Sequence, residues 1–293
     1  MSAPAAAPPA TAAPVTPQDV ESSMGFRPTR GAAFTAFFAL LLRDLHVLQK
    51  GFVLFAIRTV MQPLLLVFVF TYVFPKIGQG VGGSAAAEAN FSTLLMAGVI
   101  ATSEIFQGVQ AVALPLVQEF GYTREIEDRV MAPLPVWGVA AEKIAAGAVQ
   151  ALIAGLVVFP LALFIPATPV HLHVHWLFLL TIAPLGAILS AAFGLTMGTR
   201  IKPQQVPLLF AIVVLPITFL GAVYYPWAAL EPIRWLQILV LINPLVYMSE
   251  GFRLSLTTGV PHMSVWAIYA ALTGFTVLLT WVGIDGFRRR VLS

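Results

Sequence analysis

Apolar positions in this chain gather into long blocks. Six of them, at residues 52–74, 91–118, 136–165, 177–199, 206–223 and 265–284, are long enough for a bilayer-spanning helix, which takes about 20 mainly apolar residues. An earlier block, residues 31–50, has a different pattern. Phe34, Phe37, Phe38, Leu41, Leu45 and Leu48 recur at helical spacing. Arg43, Asp44, His46, Gln49 and Lys50 cluster toward the other face and the end. That pattern predicts an amphipathic helix lying in the membrane interface, with a cytoplasmic extension of the next helix as the alternative. The pattern also fails between Tyr224 and Arg253. Pro226, Pro232 and Pro244 cut the apolar run into pieces too short to span. Each proline lacks a backbone donor and restrains the residue before it. Broken helix at membrane depth is tolerated only where it is buried in protein or lines a cavity. The expected fold is an all-α integral membrane protein. It has six transmembrane helices, an N-terminal interfacial helix, and two short re-entrant helices between spans five and six.

Composition agrees with that reading. Of 293 residues, 59% are hydrophobic and 10% charged, against about 25% charged in a soluble domain. Residues 1–30 are rich in Ala, Pro and Thr, with no Lys or Arg before Arg27 and no apolar run. This is not a signal-peptide pattern, and a disordered cytoplasmic tail is expected, followed by one transmembrane domain at 31–293. The net charge of +3 is no footprint for nucleic acid. With no cysteine there is neither a disulfide framework nor a thiolate metal site.

The distribution of basic residues predicts orientation. With both termini inside, Arg27, Arg30, Arg43, Lys50, Arg58, Arg124, Arg129, Lys143, Arg200, Lys202, Arg288, Arg289 and Arg290 fall at the cytoplasmic side. Only Lys76, Arg234 and Arg253 fall outside. Cytoplasmic loops carry the excess of Lys and Arg.

Several residues stand out as candidates. An intramembrane carboxylate is costly and faces protein or water. Ser103, Gln107 and Gln110 share one face of the second span with Glu104 beside it, a candidate translocation path or a packing face. Small residues recur every fourth position at Gly186, Ser190, Gly194 and Gly198, a pattern that brings helix backbones close; whether the partner lies in this chain or in a second copy is open. Tyr224, Tyr225 and Trp227 suit an outer seal or a stacking surface, or the aromatic belt common to membrane proteins. Glu250 and Arg253 lie one turn apart and form a candidate structural pair. The densest charge cluster holds Arg124, Glu125, Ile126, Glu127, Asp128 and Arg129. His171, His173 and His175 alternate with Leu172 and Val174, but neither carboxylate nor cysteine accompanies them, and no metal site is assigned. No Lys is followed by Ser or Thr, so the chain lacks a Walker A phosphate loop. It also lacks H-E-x-x-H and G-x-S-x-G motifs. No catalytic residue is assigned.

Phe219-Leu220-Gly221, Tyr224-Tyr225-Pro226, Pro232, Trp235-Leu236, Asn243-Pro244-Leu245 and Glu250-x-x-Arg253, in that order, resemble the signature of the ABC-2 family. These are membrane subunits of bacterial ATP-driven exporters of drugs, lipids and polysaccharides. The resemblance implies that Arg124 to Arg129 form a cytoplasmic coupling helix. It also implies a separate ABC ATPase in two copies, which binds ATP and Mg, and a second copy of this chain or a close paralogue. The setting would be the bacterial cytoplasmic membrane. The expected function is outward movement of a hydrophobic or amphipathic cargo, drug-like or lipid-linked, with polysaccharide or glycolipid export as the alternative. An ion-coupled secondary transporter would need broken helices at matching places in two halves, and only one broken region is visible. An integral-membrane enzyme would need an acid/base or metal cluster, and none is found. A sensor or assembly subunit of the same fold is a further alternative.

Overall fold

A computed structural model describes residues 30–78, 85–123, 134–166, 170, 172–201, 205, 213 and 215–291. All regular structure among them is helical. Helix α1 is Arg30–Lys50. Helix α2 is Phe52–Val67, continued by a π-helical stretch, Phe68–Val73, and a last turn, Phe74–Lys76. Helix α3 is Ala85–Gln118, ending in the π-helical turn Glu119–Thr123. Helices α4 (Val136–Phe164) and α5 (Trp176–Arg200) follow, then the short α6 (Leu215–Phe219) and a 3-10 turn, Trp227–Leu230. Helix α7 (Arg234–Leu239) runs into a 3-10 turn, Val240–Ile242. Helices α8 (Pro244–Leu256) and α9 (Val265–Val291) are the last of the described elements.

Among the described residues, six helices are long and apolar enough to cross a bilayer: α1 to α5 and α9. This set differs from the six expected blocks in one member. Most of 206–223 lies outside the described residues, and α1 meets the same length and apolarity requirement. None of the described side chains of α1 is buried. The expected tail at 1–29 lies outside the described residues.

The bundle is built on α3 and α5. A side chain at Gly194 would place its Cβ 2.8 Å from the Val109 carbonyl, and one at Gly198 would lie 3.1 Å from Ala113 Cα. The small-residue stripe of α5 therefore packs on α3 of the same chain, with backbones nearly touching.

The broken stretch turns sharply. The α7 segment, through Ile242, and α8 meet at 96° across Asn243. The local cause is readable. The Asn243 side chain accepts from Leu245 N (3.0 Å) and donates to Ile217 O (2.7 Å), and Pro244 occupies the first helical position. Asn at the cap followed by Pro is a strong helix start. At 13 residues, α8 is roughly 20 Å long, two-thirds of the hydrocarbon thickness of about 30 Å. All thirteen of its residues are buried, against α3, α5 and α9. Its C-terminal carbonyls are capped by the loop before α5, through His173 N to Leu256 O (2.9 Å) and His175 N to Ser255 O (2.7 Å).

Candidate functional site

A cavity of about 560 Å3 lies among α1, α2, α3 and α4. Leu54, Phe55, Ala111 and Leu114 give it apolar walls. Gln107, Gln110, Gln118 and Gln150 give it polar ones, and Arg43, Asp44, Arg58, Glu119 and Lys143 bring charge. Pro115 also lines it, and leaves the Ala111 carbonyl without its usual helical donor. A smaller space of about 40 Å3 between α2 and α3 is lined by Arg58, Thr59, Ser103, Gln107 and Gln110, among others. Thr59 donates to Gln107 Oε1 (3.3 Å) across the two helices. Three of the four polar residues singled out on α3 thus face these spaces.

Glu104 does not line either space. It is fully buried, and its Oε2 lies 2.9 Å from where a Cβ at Gly186 would stand, with Met248 beside it. One position of helical rotation from Ser103 turns it toward α5 and α8. Neither of its carboxyl oxygens has a hydrogen-bond partner among the described residues. Ser103 itself donates to the Val99 carbonyl (2.8 Å).

At one end of the bundle Lys143 of α4 ties three helices together. It donates to Glu119 at the end of α3 (2.6 Å) and lies 3.6 Å from Asp44 of α1. Next to Glu119, the Phe120 ring packs on Phe287 of α9 (5.7 Å between centroids) and lies under the Arg290 guanidinium (4.7 Å). Arg290 donates to the Gly198, Thr199 and Ile201 carbonyls at the end of α5. A cation there satisfies free C-terminal carbonyls and suits the helix dipole. Glu119 and Phe120 thus join α3 to α4 and α9, and through Lys143 to α1. Sequence reading missed this knot, because its members come from four separated segments. Arg124, Glu125, Ile126, Glu127, Asp128 and Arg129, five residues further on, lie outside the described residues.

At the other end Glu250 and Arg253 are almost fully buried and paired at 2.8 Å. Glu250 also accepts from Trp227 N and Met263 N, both at 2.8 Å. Arg253 donates to the Ala222 and Val223 carbonyls. Ala222 stands in the left-handed region at φ +52, which costs a non-glycine about 1–2 kcal/mol. The pair therefore holds the turn after α6, the start of the 3-10 turn, α8 and the approach to α9. The aromatic candidates are built into this structure. Trp227 Nε1 donates to the Gln237 carbonyl (3.0 Å), Tyr224 packs against Phe70 and Phe219, and Tyr225 donates to the Phe219 carbonyl (3.4 Å). His173 and His175 stand with ring centroids 5.0 Å apart, His171 lies outside the described residues, and no group of three metal-ligating side chains occurs among the described residues.

Residues 35–257 match the family model described as the ABC-2 type transporter. The chain belongs to the ABC-2 type transporter family. The match begins in α1 and ends just after α8, so it covers both cavities, the Lys143 knot and the Glu250–Arg253 pair. This ABC-2 permease is similar to the inner membrane transport permease YadH of Escherichia coli strain K12, with 28% identity over 233 residues, 77% of this chain and 86% of that one. Proteins of the same name from Escherichia coli O157:H7 and Shigella flexneri match to the same extent. The permease is thus a multi-pass membrane component of an ABC transporter.

Proposed function

We propose that the chain is the transmembrane subunit of an exporter in the bacterial cytoplasmic membrane, moving a hydrophobic or amphipathic cargo outward. A separate ABC ATPase in two copies drives it and holds ATP and Mg. A second copy of this chain or a close paralogue completes the path. Both termini are cytoplasmic, α1 lies in the interface, and the α7–α8 segment dips in from the outer side. The excess of Lys and Arg on one side supports this orientation.

One observation carries the reading. The charged stretch from Arg124 to Arg129 begins five residues after Glu119, which Lys143 of α4 links to Asp44 of α1, and four after Phe120, which packs on α9. A push on that stretch is delivered to four helices at once. The mixed apolar and polar walls of the adjoining cavity favour an amphipathic cargo over a long polysaccharide. Tyr224, Tyr225 and Trp227 form an outer closure rather than a sugar-stacking platform, because their rings or polar tips are already engaged.

The test is co-expression with the ATPase encoded nearest to this chain, purification through a tag on the permease, and ATPase assay in lipid nanodiscs. Wild type is expected to bring down the ATPase. Glu125→Arg/Asp128→Arg is expected to lose it or uncouple it. An ATPase retained at full activity in the double variant contradicts the coupling assignment.

A further inference from the structure

The large cavity has a surplus cation. Lys143 is matched by Glu119 and Asp44. Arg58, on the second turn of α2, lines both cavities and has no carboxylate partner among the described residues. Counting charged lining residues gives three cations (Arg43, Arg58, Lys143) and two anions (Asp44, Glu119), a net +1. A cation on a spanning helix is costly unless something answers its charge. Here its surroundings are amphipathic. Gln107 and Gln110 flank it on α3, while Leu54 and Phe55 supply an apolar wall one turn away. Leu54 and Val47 on the wall are each 64% exposed, so the cavity is open on the α1–α2 side.

We infer that this cavity binds an anionic amphiphile, its phosphate-type headgroup at Arg58 and the amides of Gln107 and Gln110, its acyl portion along Leu54 and Phe55. Arg suits this because its planar fork donates two parallel hydrogen bonds to a phosphate or carboxylate. The amide side chains add neutral donors without adding charge. The cavity is walled by the end of α1, the start of α2, the end of α3 and the start of α4. In the proposed orientation these all lie at the cytoplasmic leaflet, where an outward pump collects its cargo. The cargo role rests on the exporter reading; the binding itself does not.

The test uses the full chain with its co-purifying ATPase in nanodiscs. Retention of headgroup-labelled phosphatidylglycerol is titrated against phosphatidylcholine of the same acyl chains, with glycerol phosphate as a soluble competitor. Wild type is expected to prefer phosphatidylglycerol. Arg58→Gln is expected to lose about tenfold in that preference, from the loss of charge-assisted hydrogen bonds, and Arg58→Lys to recover part of it. Arg289→Gln, a change at an exposed i,i+4 pair far along the chain, is expected to behave as wild type and controls for overall charge. Equal retention of both lipids, or no change in Arg58→Gln, overturns the inference. Competition by glycerol phosphate at lipid-like affinity also overturns it, because the site would then take a free phosphate. Arg58-dependent retention in a preparation that carries no ATPase supports the site while counting against the exporter reading.

Discussion

The two ends of this bundle hold buried charge in different ways. They are separated by α9, 27 residues long, or roughly 40 Å. At the Glu250–Arg253 end the charges bind backbone. Between them they reach the Trp227 and Met263 amides and the Ala222 and Val223 carbonyls, so the pair replaces the hydrogen bonds that broken helices lack. At the Lys143 end Arg290 caps α5, but the buried cation Lys143 binds side chains, Asp44 and Glu119 from separate helices, beside a cavity open to the surroundings. A charge pair that satisfies backbone fixes a shape. Side-chain pairs between rigid helices can part and re-form without unfolding anything. The first arrangement suits a fixed closure and the second a moving coupling.

The sharpest way to break the comparison is at the closed end. Arg253→Ala leaves Glu250 buried without its cation and two carbonyls without their donor, and is expected to cost about 3–5 kcal/mol. The check is thermal unfolding of the purified protein in detergent. Replacing a buried ion pair by apolar residues is often neutral. Here Glu250→Leu/Arg253→Met is expected to stay destabilised, because four backbone groups lose their partners. A double variant as stable as wild type would show that the backbone contacts carry little.

A smaller effect is expected at the open end. Lys143→Met removes the nearest cation from Glu119 and is expected to cost about 1–3 kcal/mol, with the ATPase still bound and its turnover changed. Unchanged turnover in this variant would leave the knot with no part in coupling. Smaller again is Arg290→Gln, which weakens the cap on α5 and is expected to cost about 1 kcal/mol. Arg289→Gln, at a mostly exposed pair with Asp285, is expected to fall within about 0.5 kcal/mol. Thermal unfolding of these two variants side by side checks the order.

The spans that became α2 to α5 and α9 were legible because helix length and apolarity are local properties. So was the break at Asn243-Pro244, where cap chemistry and the missing proline donor act within three residues. The packing of Gly194 and Gly198 against α3 was visible as a stripe but not as a pairing, since spacing does not say which helix receives it. Glu250 and Arg253 were visible as neighbours one turn apart, while their bonds to Ala222, Val223, Trp227 and Met263 were not. The complete burial of α8 was not legible either. The prolines call for backbone that is buried in protein or lines a cavity, and only the assembled backbone shows that every residue of α8 is buried in protein. Lys143 gave no signal, because Asp44 and Glu119 reach it from other helices. Glu104 stood beside the face of Ser103, Gln107 and Gln110 in the sequence, but that α5 and α8 pack on its side of α3 and α2 on the other was not legible.

The natural chain has no cysteine, which allows a direct test of which end meets the ATPase. Single cysteines are placed at Ile126, in the charged stretch, and at Ala229, exposed on the 3-10 turn of the opposite end. Each variant is co-expressed with the ATPase and treated with a short bifunctional maleimide in native membranes. Ile126→Cys is expected to cross-link to the ATPase, with a yield that changes on adding ATP, and Ala229→Cys is expected not to. Cross-linking through Ala229, or none through Ile126 while the ATPase is present and bound, would contradict the assignment of the coupling end.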